Sequence, residues 1–499
     1  MAKVLATPGV YIEEKSAFSS SVVPVSTAVP AFIGYTSRAS RGNKPLTNVP
    51  TRITSLAEYE EMFGGAPKTK FSIEPNDNTG YTLSVDQASR YLLHSALRHF
   101  YSNGGGDCYI VSIGNYGNGI KAIDFNDPAN GKGLVTLLKY MEPTLLVIPE
   151  AILLEEADCA SLQQAMLLHC GYTMKSRFAI LDIFNGDKER TFDDEDIINK
   201  FREGVGANFL QWGAAYYPFL QTTVVQAGDV DFTNISNKDG LIEILTKEVV
   251  DGVAAGLVRD ARAELIKLEI AKIATATTPV DILLLSDTLK VISPTFKSIL
   301  ADMRDILNIL PPSAAMAGVY AMVDNSINIA KSPANVSVGN VISPVINITN
   351  EAQEELNLPL NGKAVNAIRS FTGKGTIVWG ARTLDGNSQD WRYISVRRTM
   401  TFLEQSIKIA SERYVFEPNT ATTWISIKAT IENFLNNQWQ GGLLAGSTPT
   451  DAFSVEIGLG STMTANDILD GMLKLTVKVA IVRPAEFIVI TFQQQQQKS

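Results

Sequence analysis

The 499-residue chain is poor in the residues that bind metals and form disulfides. It has three histidines and three cysteines, and no pair of cysteines has CxxC spacing. A zinc site needs several ligands at characteristic spacings. His94 and His99 lie five residues apart on a predicted helix, which directs them to different faces. We therefore predict no metal site and no cofactor. Cys108, Cys159 and Cys170 fit buried core thiols in a reducing compartment.

Motifs of common enzyme classes are also missing. No GxSxG nucleophile elbow or Ser/His/Asp set is present. The GKGT segment at 373–376 lacks the order of a phosphate loop and precedes a strand, whereas a phosphate loop precedes a helix. Like the glycine-rich segment at 114–119, it predicts a turn. The acidic segment 193–196 is predicted to start a helix, whose dipole it complements. An intracellular α/β enzyme with an unrecognised site stays open as an alternative.

The chain lacks an excess of positive charge and a long apolar run. Lys and Arg number 43 against 52 Asp and Glu, for a formal net charge of -9. This argues against nucleic acid as a partner, because phosphate binding needs a basic surface. No stretch reaches the ~20 apolar residues that span a bilayer, and the amino terminus has no apolar signal segment. We therefore expect a soluble cytoplasmic product, without direct membrane insertion.

The middle of the chain alternates between strand and helix patterns. Buried strands are predicted at 145–149, 178–183 and 214–219, with helices at 152–170 and 193–203 between them. This order is typical of a mainly parallel sheet covered by helices, so the predicted fold class is mixed α/β. The further predicted elements are helices at 54–59, 87–101, 241–274, 283–310, 397–413 and 422–439 and strands at 108–113, 376–379 and 392–396.

Both ends of the chain are predicted to be extended. Residues 1–30 are predicted to form an arm with an edge strand or extended segment at 22–29, where prolines exclude a central strand. Residues 473–482 alternate as a half-buried strand does, and an apolar strand at 487–492 follows the RPAE segment at 483–486. An open apolar strand invites aggregation, so it needs a prepared groove in the same fold or in a neighbour. That indicates an assembly function. The glutamine run at 493–497 is predicted to be a disordered end.

Four arginines form the most concentrated positive charge in the sequence. They are Arg382, Arg392, Arg397 and Arg398. Because the chain is acidic overall, we predict ion pairs with acidic groups of the same or a neighbouring subunit rather than contacts to nucleic acid.

Ten short strings, in order along nearly the whole chain, resemble the contractile tail sheath proteins of phages, R-type pyocins and extracellular contractile injection systems. Each string is weak by itself, and their order makes the resemblance specific. They are TPGVYIEE (7–14), TAVPAFIG (27–34), SNGG (102–105), AYYP (215–218), PPS with AGVY (311–320), KSPAN (331–335), VWGARTL (378–384), WRYISVRR (391–398), FEPN (416–419) and RPAEFI (483–488).

The resemblance implies a two-domain subunit with exchanged arms. It implies an amino-terminal arm at 1–30, an inner α/β core domain at 31–104 plus 345–482, an inserted outer α/β domain at 105–344 with a helical insertion at about 222–310, and a carboxy-terminal arm at 483–499. Subunits would form six-membered rings stacked helically around an inner tube. Baseplate triggering would let the sheath shorten, with no nucleotide hydrolysed. The implied partners are further copies, the inner tube protein, baseplate and terminal cap proteins, and paralogous sheath proteins.

The resemblance also assigns roles to residues. The residues expected to exchange strands between subunits are Val10, Tyr11, Ile12, Val22, Val23, Val25, Phe487, Ile488, Val489, Ile490, Thr491 and Phe492. The hinge or linker is Arg483, Pro484, Ala485 and Glu486. The expected tube-facing helix carries Thr422, Lys428 and Glu432. These last two are the only charges near the middle of that helix, so an electrostatic tube contact is doubtful here. The long helical insertion departs from simpler family members, and a non-contractile capsid or scaffold protein is a further alternative.

Overall fold

The computed structural model describes residues 22–76 and 80–487. These residues form two compact units. One, the sheet unit, comprises residues 26–398 together with the segment from Arg483 onward. The other, the hairpin unit, comprises 399–482 and, from the amino-terminal side, the described residues 22–25. Each unit is described separately below.

The strands are mostly in the sheet unit. In chain order they are β1 (Pro30–Thr36), β2 (Ser40–Arg41), β3 (Lys44–Pro45), β4 (Thr51–Ile53), β5 (Phe71–Asn76), β6 (Gly80–Val85), β7 (Cys108–Asn115), β8 (Asn126–Asp127), β9 (Lys132–Gly133), β10 (Leu145–Val147), β11 (Phe178–Asp182), β12 (Gly213–Tyr217), β13 (Leu220–Thr222), β14 (Ile309–Leu310), β15 (Val336–Ser337), β16 (Val341–Pro344), β17 (Asn366–Phe371), β18 (Gly375–Val378), β19 (Phe453–Ile457) and β20 (Leu475–Val479).

The helices follow the same order. They are α1 (Leu56–Phe63), α2 (Leu93–Ser102), α3 (Ala122–Phe125), α4 (Glu156–Leu168), α5 (Ile197–Gly204), α6 (Lys238–Ala254), α7 (Asp260–Ala271), α8 (Pro279–Ile292), α9 (Pro294–Leu307), α10 (Ser313–Ser326), α11 (Asn350–Asn357), α12 (Ile394–Ser411), α13 (Ala421–Gln440), α14 (Pro449–Ala452) and α15 (Ala465–Leu469).

A nine-stranded sheet organises the sheet unit. Its order is β15-β18-β17-β12-β11-β10-β1-β7-β4, and the run from β7 to β17 is parallel throughout. The central strands β1, β10, β11 and β12 are buried at every position, as expected when helices cover both faces of a parallel sheet. The α/β prediction from the alternating pattern is confirmed.

Successive residues of the central strands supply two different cores. In β1, Ile33 and Tyr35 belong to the core that contains α4, whereas Phe32 belongs to the core that contains α2 and α10. This alternation follows from the two-residue period of a strand. The three cysteines are free and buried in these cores, as predicted.

The helical insertion differs from the prediction. Instead of two long helices at 241–274 and 283–310, it has four, α6 to α9. Gly256 breaks the first pattern with a φ of 70°, and the next two backbone N–H groups bond to the Gly252 carbonyl, which is a glycine C-cap. The second pattern breaks where Ser293 caps α9 and Pro294 occupies its first turn. Periodicity alone did not reveal these stops.

The same error placed three leucines on the wrong face. In the sequence, Leu257, Leu265 and Leu268 continue an apolar stripe that begins at Leu241 and recurs every three or four residues, as on one face of a single helix. In the structure these three leucines are exposed. The core of the insertion is formed instead by residues such as Leu245, Ile266 and Leu289. Once the long helix is broken at Gly256, the helical phase of the earlier stripe no longer carries over.

The strand predicted at 392–396 is wrong, because α12 begins at Ile394. Tyr393 makes only an isolated bridge with Arg382. Residues 394–399 are all buried, including Arg397 and Arg398. The charged residues of this segment were interpreted as the exposed face of a strand, although Arg397 and Arg398 are buried.

The expected domain boundaries do not separate compact units in this structure. Strands β1 and β17, which were assigned to the inner domain, share one sheet with β7 and β10 to β12, which were assigned to the outer domain. The division lies instead after Val25, Arg398 and Val482. The division depends on which strands pair in the sheet, and the short sequence strings carry no information about that pairing.

A buried carboxylate joins the start of α2 to the sheet. Glu150 is fully buried. One carboxylate oxygen accepts the Tyr35 N–H at 2.8 Å and the other accepts those of Leu92 and Leu93 at 3.0 and 3.1 Å. The helix predicted at 87–101 therefore begins later, at Leu93, after a short 3-10 turn at Gln87–Ser89. Burial raises the pKa of Glu150 to about 7, against the lowering effect of these backbone hydrogen bonds.

Glu150→Gln should flatten the dependence of stability on pH. A carboxyl whose pKa is raised in the folded state contributes stability below its unfolded pKa and loses it as the pH rises through about 7. In wild type, Glu150 should lower the free energy of unfolding by about 3 kcal/mol between mildly acidic pH and pH 8. The variant lacks this carboxyl and should not show that decrease. Urea unfolding across this range measures it. Exposed Glu155→Gln is the control and should keep the wild-type slope. Equal slopes for wild type and Glu150→Gln would contradict the assignment.

Candidate assembly interface

The residues predicted to exchange strands are partly within the described chain. Val10, Tyr11, Ile12 and the run Ile488, Val489, Ile490, Thr491 and Phe492 lie outside the described residues. Val22 is buried, whereas Val23 is 65% exposed. The Val25 N–H donates to the Ser406 hydroxyl at 3.2 Å, within the hairpin unit. Residues 22–25 have no strand partner among the described residues. Phe487 is 67% exposed.

Among the described residues of the hairpin unit, β19 and β20 form the only β-sheet. β19 and β20 pair antiparallel, from Phe453 opposite Val479 to Ile457 opposite Leu475. Neither strand has a second strand neighbour within residues 22–76 and 80–487. α13 packs against β19, yet Val455 is the sole fully buried position of the two strands. The outer edge of each strand therefore presents backbone groups that the described chain does not pair with another strand.

The expected tube-facing helix is α13. Its inner side buries Ile427, Ile431 and Phe434, and Phe434 meets Phe402 of α12 with ring centroids 6.2 Å apart. Lys428 and Glu432 pair with each other, Nζ to Oε1, at 3.7 Å. The exposed residues otherwise carry no charge. They include Thr422, Ile425, Ser426, Ala429, Asn433 and Asn437. The outer face of this helix is therefore amide-rich and electrically neutral.

The predicted linker at 483–486 is held at its far end by a buried arginine. Arg382, 1% exposed, donates from Nε and Nη2 to the two carboxylate oxygens of Glu486 at 3.0 and 2.6 Å. Asn357 donates to the same carboxylate at 2.7 Å and the Tyr393 hydroxyl at 3.1 Å. We call these four residues the Glu486 clip. All of them belong to the sheet unit.

The contacts of the clip favour the charged carboxylate. Burial alone would raise the pKa of Glu486, but hydrogen bonds from Arg382 and Asn357 and the charge of Arg382 outweigh it, so the pKa lies below its ordinary value. Arg382 also donates to the Gly386 carbonyl at 3.0 Å. A bidentate arginine sets both the position and the orientation of a carboxylate. At the other end of the linker, exposed Arg483 donates to the Gln389 carbonyl at 2.8 Å.

A second buried arginine holds the amino-terminal side of the sheet unit. Arg398 forms a bidentate ion pair with Asp324, at 3.1 and 2.6 Å, and donates to the Thr27 carbonyl at 3.0 Å. Both charged side chains are almost fully buried. Its guanidinium also lies 4.7 Å from the ring centroid of Tyr320.

The other two arginines of the cluster have different surroundings. Arg397 lies between the rings of Trp212 and Trp391, at 4.2 and 4.3 Å from their centroids. Arg392 donates to the Ser388 carbonyl at 2.9 Å. The predicted intrachain ion pairs are thus confirmed for Arg382 and Arg398. Sequence reasoning missed their partners Glu486 and Asp324, which lie 104 and 74 positions away.

The predicted turn around Gly373 and the predicted helix start at the acidic segment 193–196 are confirmed. The segment around Gly373 is the turn between β17 and β18. Asp196 caps α5 by accepting the N–H groups of Ile198 and Asn199. Within residues 22–76 and 80–487, no cluster of three or more His, Cys, Asp or Glu side chains could hold a metal ion. In the same part of the chain no helix is long and apolar enough to cross a bilayer.

Comparison with known proteins shows similarity to contractile tail sheaths. Residues 387–495 match the model of the phage tail sheath C-terminal domain. The sheath of the extracellular contractile injection system PVC, in its contracted state, is 28% identical with a TM-score of 0.61, over 99% of both chains. The contracted helical sheath of the anti-feeding prophage is 28% identical to this chain, with a TM-score of 0.60, over 99% of this chain and 100% of the other. These matches support the resemblance to the contractile tail sheath family over nearly the whole chain.

Phage tail sheath proteins are similar to this chain over shorter segments. That of Enterobacteria phage T4 is 28% identical over 141 residues, and that of Vibrio phage KVP40 is 27% identical over 158. The matches span 21% and 23% of those proteins, and 28% and 32% of this chain. The likeness to the sheaths of PVC and of the anti-feeding prophage therefore extends over far more of the chain than the likeness to the phage proteins.

Arg398→Met should destabilise the sheet unit strongly. It leaves Asp324 buried without its partner, which typically costs about 3–5 kcal/mol. The double variant Arg398→Met/Asp324→Leu should lose less, because no charge remains buried. Chemical unfolding of both variants measures this. Lys267→Met, which breaks the exposed Lys267–Glu264 pair, is the control and should change stability by less than about 1 kcal/mol. A single variant as stable as this control would contradict the role of Arg398.

Proposed function

We propose that this protein is a structural subunit of a contractile sheath. Its copies form six-membered rings stacked helically around an inner tube, and the sheath shortens to drive the tube through a target envelope. The hairpin unit, with the open outer edges of β19 and β20, carries the proposal. The match of residues 387–495 to the phage tail sheath C-terminal domain and the likeness of the chain to contracted sheaths support it.

Strand exchange gives the open hairpin a partner. A two-stranded sheet is marginally stable alone, and more strands or a packed helix are needed. α13 supplies the packing on one side. In the proposal, the amino-terminal segment with Val10, Tyr11, Ile12, Val22, Val23 and Val25 and the carboxy-terminal strand 487–492 of neighbouring copies add to these edges. Main-chain hydrogen bonds then provide much of the affinity, as in other β-augmentation.

The proposed domain assignment follows the resemblance. Residues 399–482 of the hairpin unit lie in the segment 345–482, which we assign with 31–104 to the inner domain. The helical insertion α6 to α9 lies in the segment 105–344, which we assign to the outer domain.

The proposed tube contact uses α13. Its exposed face offers amide and hydroxyl groups, and its one charged pair near the middle is satisfied within the helix. The contact would therefore depend on hydrogen bonds and shape rather than on net charge.

The remaining roles follow from the family. The inner tube protein, baseplate proteins, a terminal cap and paralogous sheath proteins are the proposed partners. Synthesis and assembly are placed in the bacterial cytoplasm, as part of a tail-like particle. No catalytic step is assigned to the subunit, because the energy of contraction is stored in the extended assembly.

Deletion of residues 487–499 should leave a folded subunit that does not polymerise, because it removes the proposed exchanged strand. Sedimentation and negative-stain microscopy measure polymer and hollow cylinders, and circular dichroism measures folding. Deletion of 493–499 alone removes only the glutamine tail with Lys498 and Ser499, and should polymerise as the full chain does. Cylinders of normal yield from the longer deletion would exclude strand exchange. A full chain that runs as a small discrete oligomer would favour the enzyme alternative.

Replacing Lys428 and Glu432 by Gln should not change sheath formation around the tube. Exposed i,i+4 pairs contribute little, so the fraction of tube-filled particles should stay within about twofold of wild type. Asn433→Lys/Asn437→Lys, which adds two charges to the neutral face, should reduce it strongly. Microscopy of particles assembled with the tube protein gives the fraction. The reverse pattern would show that the tube contact is electrostatic.

A further inference from the structure

We propose that the Glu486 clip is the positioning element for the carboxy-terminal arm. It fixes the point at which the arm leaves its own subunit, so that the exchanged strand starts from the sheet unit. The inference rests on the proposed strand exchange and deepens it. It changes the role of Glu486 from a hinge residue to an anchor.

The arrangement of the clip is that of a built site. Four hydrogen bonds converge on one carboxylate: two from Arg382, one from Asn357 and one from Tyr393. Their donors come from three separate parts of the sheet unit: the end of α11, the segment after β18 and the residue before α12. Arg382 is itself held by the Gly386 carbonyl. A carboxylate gripped from several directions has little freedom to turn.

The clip divides the linker into a held and an adjustable part. The Val482 N–H bonds to the Leu443 carbonyl in the hairpin unit at 3.3 Å, and Glu486 is bound in the sheet unit. Only Arg483, Pro484 and Ala485 lie between them. Proline restricts its own φ angle and disfavours the helical conformation of the residue before it. A change in the course of the chain must therefore be taken up by these three residues, while Phe487 keeps its starting point.

The ion pair of Arg483 with Asp390 fixes the linker less firmly than the Glu486 clip does. The Arg483–Asp390 pair has a distance of 3.6 Å, and its side chains are 53% and 78% exposed. Exposed pairs of this kind contribute little. Asp390 thus offers a matched control close to the clip, in which a carboxylate is also changed to an amide.

The test compares Glu486→Gln with Asp390→Asn in the full chain. Glu486→Gln loses the bidentate charged contact, and the fraction of subunits in cylinders should fall at least about tenfold. Its thermal unfolding midpoint should fall, because Arg382 keeps a buried charge without its partner, so cylinder yields are compared at a temperature below the unfolding transition of the variant. Hydrogen–deuterium exchange of the segment at 483–487 in unassembled subunits should become faster. Asp390→Asn should match wild type in all three measurements. Cylinders from Glu486→Gln with the yield and length of the control would overturn the proposal.

Two further variants separate the possible failures. Tyr393→Phe removes one hydrogen-bond donor and should reduce cylinder yield by about two- to threefold. If Glu486→Gln does not fold, Tyr393→Phe becomes the test of the clip. An unchanged cylinder yield from Tyr393→Phe would then overturn the proposal. The 487–499 deletion tests strand exchange separately. If the deletion blocks assembly but Glu486→Gln and Tyr393→Phe assemble normally, the clip alone is wrong. If the deletion assembles normally, the proposed exchange itself is wrong.

Discussion

The unpaired edges of a β-hairpin are the constraint on which the proposed assembly depends. β19 and β20 pair with each other on one side, and within residues 22–76 and 80–487 neither has a strand partner for the backbone donors and acceptors on its other side. Such edges pair with whatever strand is available unless they are covered. In the proposed strand exchange, segments of neighbouring copies can cover these edges in an ordered way only if each segment leaves its own subunit at a fixed place. The hairpin and the anchoring of the ends are therefore parts of one problem.

Buried arginines supply the anchoring on the sheet unit. The chain passes between the two units after Val25, Arg398 and Val482. Arg398 lies at one of these points and holds the Thr27 carbonyl near another, while Arg382 holds Glu486 near the third. Arginine suits this position better than lysine because its planar guanidinium binds a carboxylate bidentately and can still donate to a backbone carbonyl. Each pair is buried, so removing one partner costs much more than breaking a surface pair.

The alternating strands and helices around the central sheet could be predicted because each element there carries its own signal. A strand buried on both faces is apolar along its whole length, as in 145–147 and 178–182. The helical insertion was harder, since a stripe of leucines continues in sequence through Gly256 although the helix does not. The strand wrongly predicted at 392–396 shows the same limit. Alternation of apolar and charged residues indicates a half-exposed strand only when the charges face water, and Arg397 is packed between two tryptophans.

The candidate site divides in the same way. Sequence alone determined that the chain is α/β and that its ordered strings resemble tail sheaths. It also predicted a half-buried strand at 473–482, found at 475–479, and ion pairs in the arginine cluster, found for Arg382 and Arg398. These are local properties, readable from period, charge and short motifs. Only the tertiary structure decided which acid pairs with each arginine, where the two units divide, and that Glu486 is held by four hydrogen bonds. Those outcomes depend on contacts between residues as many as 381 positions apart, and such distances leave no periodic trace in the sequence.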